Sequence, residues 1–145
     1  MFVFKYFAEK KLTFTYLYGE VTSVELNNII DKLHSIKLEE GGMRGLTIIT
    51  ENTKPSGIKT KDIMHMGERM HKLSFRKNGK NVFITNTILA YAFTRIFKLV
   101  MDTLNIDKMK IYKGDALLQA LTWLELTEME EIINDIINSC ESQHH

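Results

Sequence analysis

The stretch T-K-P-S-G-I-K-T-K-D-I, running from Thr53 to Ile63, holds the side chains whose types and spacing come nearest to a nameable chemistry. A serine just before a helix start sits near free backbone amides and the positive end of the helix dipole, where a phosphate or carboxylate is stabilised. Lys54, Lys59 and Lys61 would strengthen that attraction. Ser56, Gly57, Thr60 and Lys61 therefore form a candidate ligand or anion loop. Pro-Ser-Gly is equally the chemistry of a turn, with Pro fixing one dihedral, Gly free to take positive φ, and Thr60 placed to cap the helix. A turn, an anion contact and phosphorylation of Ser56 all stand as readings, and the turn requires the least.

The remaining reactive side chains make no constellation. His65, Glu68 and His71 are spaced three and three, which drifts about 60° around a helix at each step, and no cysteine or second carboxylate motif joins them. Ser56 with either histidine lacks a nucleophile-elbow sequence and a third triad member. Gly41, Gly42 and Gly45 have neither the spacing of a phosphate-binding loop nor the following Lys-Ser/Thr. Cys140 has Glu141 beside it and no activating base, which favours an inert thiol. The expectation is a chain with no catalytic residue, no metal and no cofactor, and so not an enzyme.

Composition bounds the rest. With 145 residues, 44% hydrophobic and 26% charged, the chain suits one domain with one real core. A formal net charge of +1 gives no general pull on nucleic acid, so no nucleic-acid partner is expected. Charge is nonetheless uneven: Lys54 to Lys80 holds eight basic and two acidic residues, whereas Glu125 to Glu141 holds six acidic residues and no Lys or Arg. Two solvated faces of opposite sign, or a docking surface, would both follow. The single cysteine and the absence of a signal-peptide pattern in M-F-V-F-K-Y-F make the cytoplasm the default compartment. No apolar run approaches the ~18 residues of a membrane span, so the chain reads as soluble or peripheral. His144 and His145 are given no functional weight.

The elements that must position any site are legible from periodicity. Phe2 to Phe7 is an aromatic-rich strand, and Leu12, Phe14, Tyr16 and Tyr18 alternate with Thr13, Thr15 and Leu17 as a second, with A-E-K-K as the hairpin between them. Thr22-Ser-Val-Glu25 has capping-box spacing and opens a helix with Leu26, Ile29, Ile30, Leu33 and Ile36 as its buried stripe. G-L-T-I-I-T reads as a central strand, Ile63, Met66, Met70 and Leu73 as the stripe of a second helix, and Asn81 to Thr85 as another buried strand. Leu89 to Leu104 is a helix, M-K-I-Y-K a last strand, and G-D-A-L-L-Q-A-L-T-W-L a helix with Asp115 as cap. The order is ββαβαβα, an α/β domain whose mixed, mostly parallel sheet carries helices on it. That unit spans residues 1–126. A second capping box, Thr127 to Glu130, opens an added amphipathic helix over 127–140.

This order, with L-Y-G-E-V-T-S-V-E-L, A-Y-A-F-T-R-I-F-K-L-V-M and I-Y-K-G-D-A-L-L-Q-A-L-T-W-L as the matching stretches, resembles the SpoIIAA-like proteins of the STAS and Sec14 (CRAL-TRIO) type. The resemblance covers about Leu12 to Leu124. It implies the same fold, and its STAS side implies a serine at the start of the helix after a central strand, where Pro55-Ser56-Gly57-Ile58 falls. Only Ser56, Gly57 and Ile58 match that loop. Lys54 and Pro55 stand where the pattern has an acidic residue and a second hydroxyl. The Sec14 side implies binding of lipids or other apolar molecules.

Two apolar surfaces carry the functional expectations. On the helix from Leu89 to Leu104, Tyr91, Thr94, Arg95, Lys98 and Asp102 share one arc, leaving an apolar arc near 220° where about 100° suffices for one-sided packing. Ile88, Ala92, Phe93, Phe97, Leu99 and Met101 are its candidate ligand-facing residues, for a small apolar molecule, a lipid or a membrane surface. On the C-terminal helix, Met129, Ile132, Ile133, Ile136 and Ile137 form one stripe, covered either by the chain's own core or by a second copy in a homodimer. The expected function is a non-catalytic SpoIIAA/STAS-like binding module for an apolar ligand or membrane surface. The alternative is a regulatory protein-interaction module, as a homodimer or an antagonist of an anti-sigma factor.

Overall fold

The computed structural model describes residues 1–36, 41–73, 78–104 and 107–143; the expectations for Arg76, Lys77, His144 and His145 lie outside them. Five strands build the main sheet: β1 (Phe2–Phe7), β2 (Leu12–Leu17), β4 (Arg44–Ile49), β6 (Lys80–Thr85) and β7 (Lys108–Lys113), in the order β1-β2-β4-β6-β7. β1 runs antiparallel to β2, as its short hairpin requires, and all other pairs are parallel. Parallel neighbours need crossovers, and α1 (Ser23–His34), α2 (Thr60–His71) and α3 (Ile88–Thr103) supply them on one face. The other face is covered by α4 (Leu117–Leu124) and α5 (Glu130–Gln143). The fold is thus the expected α/β domain with a mostly parallel sheet. A two-stranded parallel addition, β3 (Glu20–Thr22) with β5 (Lys54–Ser56), joins the ends of the first two crossovers.

Period-two alternation sorts the central strands between two cores. Leu12, Phe14 and Tyr16 of β2, Leu46 and Ile48 of β4, and Val82 and Ile84 of β6 meet Leu121, Leu124 and Ile133 on the α4/α5 side. On that side the C-terminal carbonyls of α4 are met by cations: Arg44 donates to Leu124 O at 3.0 Å and Lys80 donates to Trp123 O at 3.1 Å. Cations at that end also suit the helix dipole. Lys80 lies over the Trp123 ring as well, so it leaves the basic segment and works on the opposite face of the sheet.

The helix ends are capped in different ways. The capping box at α1 is present, with Glu25 N–H donating to Thr22 Oγ1 and Thr22 N–H to Glu25 Oε1, both at 3.3 Å. The second expected box is not. Thr127–Met129 forms a 3-10 turn instead, because Leu126 and Met129 are both drawn into the core and a tight turn is what buries them together. Asp115 does not cap α4, whose N-cap is Ala116, one residue further on.

α2 makes its main contacts with α1 and α3 rather than with the sheet. The α2–α3 contact is close because Gly67 has no side chain: a Cβ there would lie 2.2 Å from Val100 Cγ1. Two opposing effects meet in Gly67→Ala, an overpacking penalty of about 1–3 kcal/mol and a helix-propensity gain of about 1 kcal/mol. We expect net destabilisation of up to about 2 kcal/mol by urea denaturation, and a smaller penalty when the same substitution is made in a Val100→Ala background, which removes the 2.2 Å contact and leaves the 3.2 Å approach to the Cβ of residue 100.

Candidate functional site

Helices crossing over a sheet usually fill the face beneath them with aliphatic side chains. Here the covered face of the central strands is polar. Thr13 and Thr15 of β2, Thr47 of β4 and Asn81 of β6 point toward α1–α3 and line a cavity of about 130 Å³. The register makes them one patch: Thr13, Gly45 and Asn81 stand side by side, and Thr15 and Thr47 pair in the next row. Neighbouring strands lie about 4.8 Å apart, so the patch is roughly 10 Å across, with Gly45 between Thr13 and Asn81 in the register.

The walls are apolar. α1 contributes Leu26, Ile29, Ile30 and Leu33, α2 contributes Ile63, Met66 and Met70, and α3 contributes Ala90, Phe93 and Phe97. Phe83 of β6 closes one side by an edge contact with Phe97, ring centroids 5.7 Å apart at 69°. Ile29, Pro55, Ile58, Met66 and Phe93 are half-buried and form the rim. Thr47 and Phe83 also keep some exposure although they lie mid-strand in the sheet's interior under three helices, as residues bordering an internal space should. No lining residue among the described residues is charged.

The polar groups of the floor are not consumed by the protein. The Thr13, Thr15, Thr47 and Asn81 side chains make no hydrogen bond among the described residues, although Thr13, Thr15 and Asn81 are 4%, 5% and 4% exposed. Thr85 Oγ1, further along β6 on the same face, is by contrast fully buried, with no partner among the described residues. Two other buried threonines near the cavity behave in the usual way: Thr94 Oγ1 donates to Ala90 O at 2.7 Å, and Thr53 Oγ1 donates to Leu17 O at 2.9 Å.

Arg69 of α2 holds the roof together. Its guanidinium donates to Asn27 Oδ1 at 2.7 Å and to Asp31 Oδ1 at 2.5 Å, tying α2 to α1 beside the cavity.

The sequence-read candidates fall in different places. Phe93 and Phe97 line the cavity, and Met101 is fully buried in the core on the same side. Ile88, Ala92 and Leu99 do not belong to it: they face solvent, Ile88 at 91% and Leu99 at 65% exposure. Helix α3 is turned from the expected setting, with Ala90, Thr94, Phe97 and Met101 inward. Thr94 can serve as a core residue because its hydroxyl is satisfied inside its own helix. Ser56, Gly57, Thr60 and Lys61 are all exposed, and Gly57 takes φ +68°, as the turn reading requires. Thr60 is not the helix cap; Lys59 holds that position, with its N–H donating to Asp62 Oδ2 at 2.8 Å. The neighbours Pro55 and Ile58, not the polar loop residues, reach the cavity. Met129 and Ile133 of the C-terminal stripe are buried in the chain's own core, Ile136 and Ile137 pack partly against it, and Ile132 faces out. His65, Glu68 and His71 are exposed, and no metal-binding group of three or more His, Cys, Asp or Glu occurs among the described residues.

The sequence marks β2 only by its apolar face, which gives no sign that Thr13 and Thr15 are covered, and marks the segments holding Thr47 and Asn81 as buried strands, in which a polar residue bordering a cavity has no pattern of its own. The crossover rule held the missing signal: helices on that face oblige its threonines to be buried.

A second, wider groove of about 610 Å³ lies at the C-terminal ends of the strands, bordered by Tyr16, Asn52, Asn86, Asp115, Cys140 and Glu141 among others. Burial, and then the nearby Glu141 carboxylate, push the Tyr16 phenol up to about 12. The same causes push the Cys140 thiol up, which leaves it protonated and a weak nucleophile at neutral pH. Among the described residues no helix is long and apolar enough to cross a membrane. Comparison with known protein families, curated proteins and solved structures finds no match.

The Tyr16 shift has a pH signature. A phenol held protonated up to about 12 in the fold but titrating near 10 unfolded binds more protons when folded across that window. Its contribution is complete below pH 10 and is lost as pH rises toward 12. We expect Tyr16→Phe to flatten the fall in stability over that window by at most about 2–3 kcal/mol, measured by denaturation at stepped pH.

Proposed function

We propose that this chain is a non-catalytic, cytoplasmic binding module of the SpoIIAA-like STAS type that holds a small apolar molecule between its sheet and α1–α3. The observation that carries the reading is the cavity of about 130 Å³, walled by Leu, Ile, Met and Phe and with no charged side chain among its described lining residues. An apolar cavity of ~150 Å³ binds benzene, so this one suits a ligand of similar size. The half-buried rim, with flexible Met66 in it, provides entry.

The membrane or partner-contact reading draws on a different observation, the outward stripe of Ile88, Leu89, Ala92 and Leu99 on α3. It ranks second because exposed apolar side chains are common on soluble proteins. The C-terminal stripe supports a dimer less, since Met129 and Ile133 are already covered.

Toluene is the test ligand. Saturable binding by titration calorimetry is expected for the wild type, with a loss of at least tenfold in Ala90→Leu, which fills the cavity from the start of α3. Absence of binding to the wild type, or equal binding to both proteins, would overturn the reading.

A further inference from the structure

We infer that the cavity selects an uncharged ligand carrying one hydroxyl, carbonyl or carboxamide, and that this group is seated on the sheet floor between Thr13, Thr47 and Asn81. The inference rests on the apolar-ligand reading and specifies its chemistry.

A donor or acceptor taken from water without a partner is destabilising by about 1–3 kcal/mol, which is why nearly all such groups in folded proteins are paired. Thr13, Thr15, Thr47 and Asn81 are four polar side chains on one face of three adjacent strands, without a hydrogen-bond partner among the described residues and opening onto the same cavity, where only water or a ligand can pair them. A fold needing only a hydrophobic layer there would be served better by Val and Leu, which have similar shape and higher or equal compatibility with the core. Polar side chains kept where they weaken the fold are expected at functional positions.

Their chemistry defines the ligand. Each threonine hydroxyl donates one hydrogen bond and accepts others, and the Asn81 carboxamide donates two and accepts two, so the floor answers both donors and acceptors. It has no charge to offer. A carboxylate, phosphate or ammonium group would be stripped of water with no counter-ion among the described lining residues, at a penalty far above what neutral hydrogen bonds return. The apolar body of the ligand would then lie against Ile30, Met70 and Phe97, with its far end toward Met66 at the rim. A cavity of about 130 Å³ holds a single ring or a short branched chain, not an extended lipid.

Phenol and toluene share shape and differ in the hydroxyl, so they separate the two claims. Wild-type protein should bind phenol at least tenfold tighter than toluene once each affinity is corrected for the solute's transfer from water to an alkane. Asn81→Leu and Thr47→Val should each reduce that preference several-fold while leaving toluene affinity within about threefold, and benzoate should not bind. Because the substitutions remove unpaired polar groups, both variants should unfold at a temperature equal to or above that of the wild type. Equal corrected affinities for phenol and toluene would overturn the inference and leave the apolar-ligand reading intact. Failure of both to bind would overturn both. A variant with lowered melting temperature would also overturn the inference, by showing that the side chain serves the fold through ordered water rather than a ligand.

Discussion

The structure depends on a roof that stands off from its floor. α2 is held by α1 and α3 and meets the sheet only weakly, and the two devices that fix it there are the Gly67–Val100 approach and the Arg69 hydrogen bonds to Asn27 and Asp31. A helix seated directly on β4 and β6 would bury Thr47 and Asn81 against aliphatic side chains. Held away, it leaves room at the centre of the domain, and the polar floor faces that room instead of a packed layer.

The two faces of the sheet are therefore built on different terms. Under α4 and α5 the strands present Leu, Phe, Ile and Val, and Arg44 and Lys80 cover the exposed carbonyls at the end of α4. That half carries stability through apolar burial and satisfied polar ends. Under α1–α3 the central strands present threonine and asparagine at Thr13, Thr15, Thr47 and Asn81 beside the apolar Leu17, Ile49 and Phe83, and the helices and edge strands supply the rest of the apolar burial. One face holds the domain together, which leaves the other free to carry groups that weaken the fold.

Element type and order were legible in the sequence because alternation and helical spacing are strong in segments such as Leu12–Leu17 and Ser23–His34. Helix rotation was not legible for α3. An apolar arc near 220° fits several settings, and the one adopted buries Thr94, whose hydroxyl finds Ala90 O within the helix, and exposes Leu89 and Leu99. The cavity floor was hidden for a related reason. Thr13 and Thr15 have the pattern of a solvated strand face, and only the position of β2 beneath the first crossover shows that face to be covered. The short strands β3 and β5 were also missed, since three-residue pairings leave no periodicity to read. The stripe on α5 was visible, while its cover, the chain's own sheet, was a tertiary fact.

The central claim is that a ligand enters the space beneath α2, and the methionines report on it directly. Met66 and Met70 line the cavity, Met129 is buried on the opposite face, and Met64 is 49% exposed. In protein labelled with ¹³C at the methionine ε-methyl groups, a toluene titration followed by NMR should move the Met66 and Met70 signals saturably and leave Met64 and Met129 in place. Unmoved Met66 and Met70 signals, or equal shifts at Met129, would contradict the account.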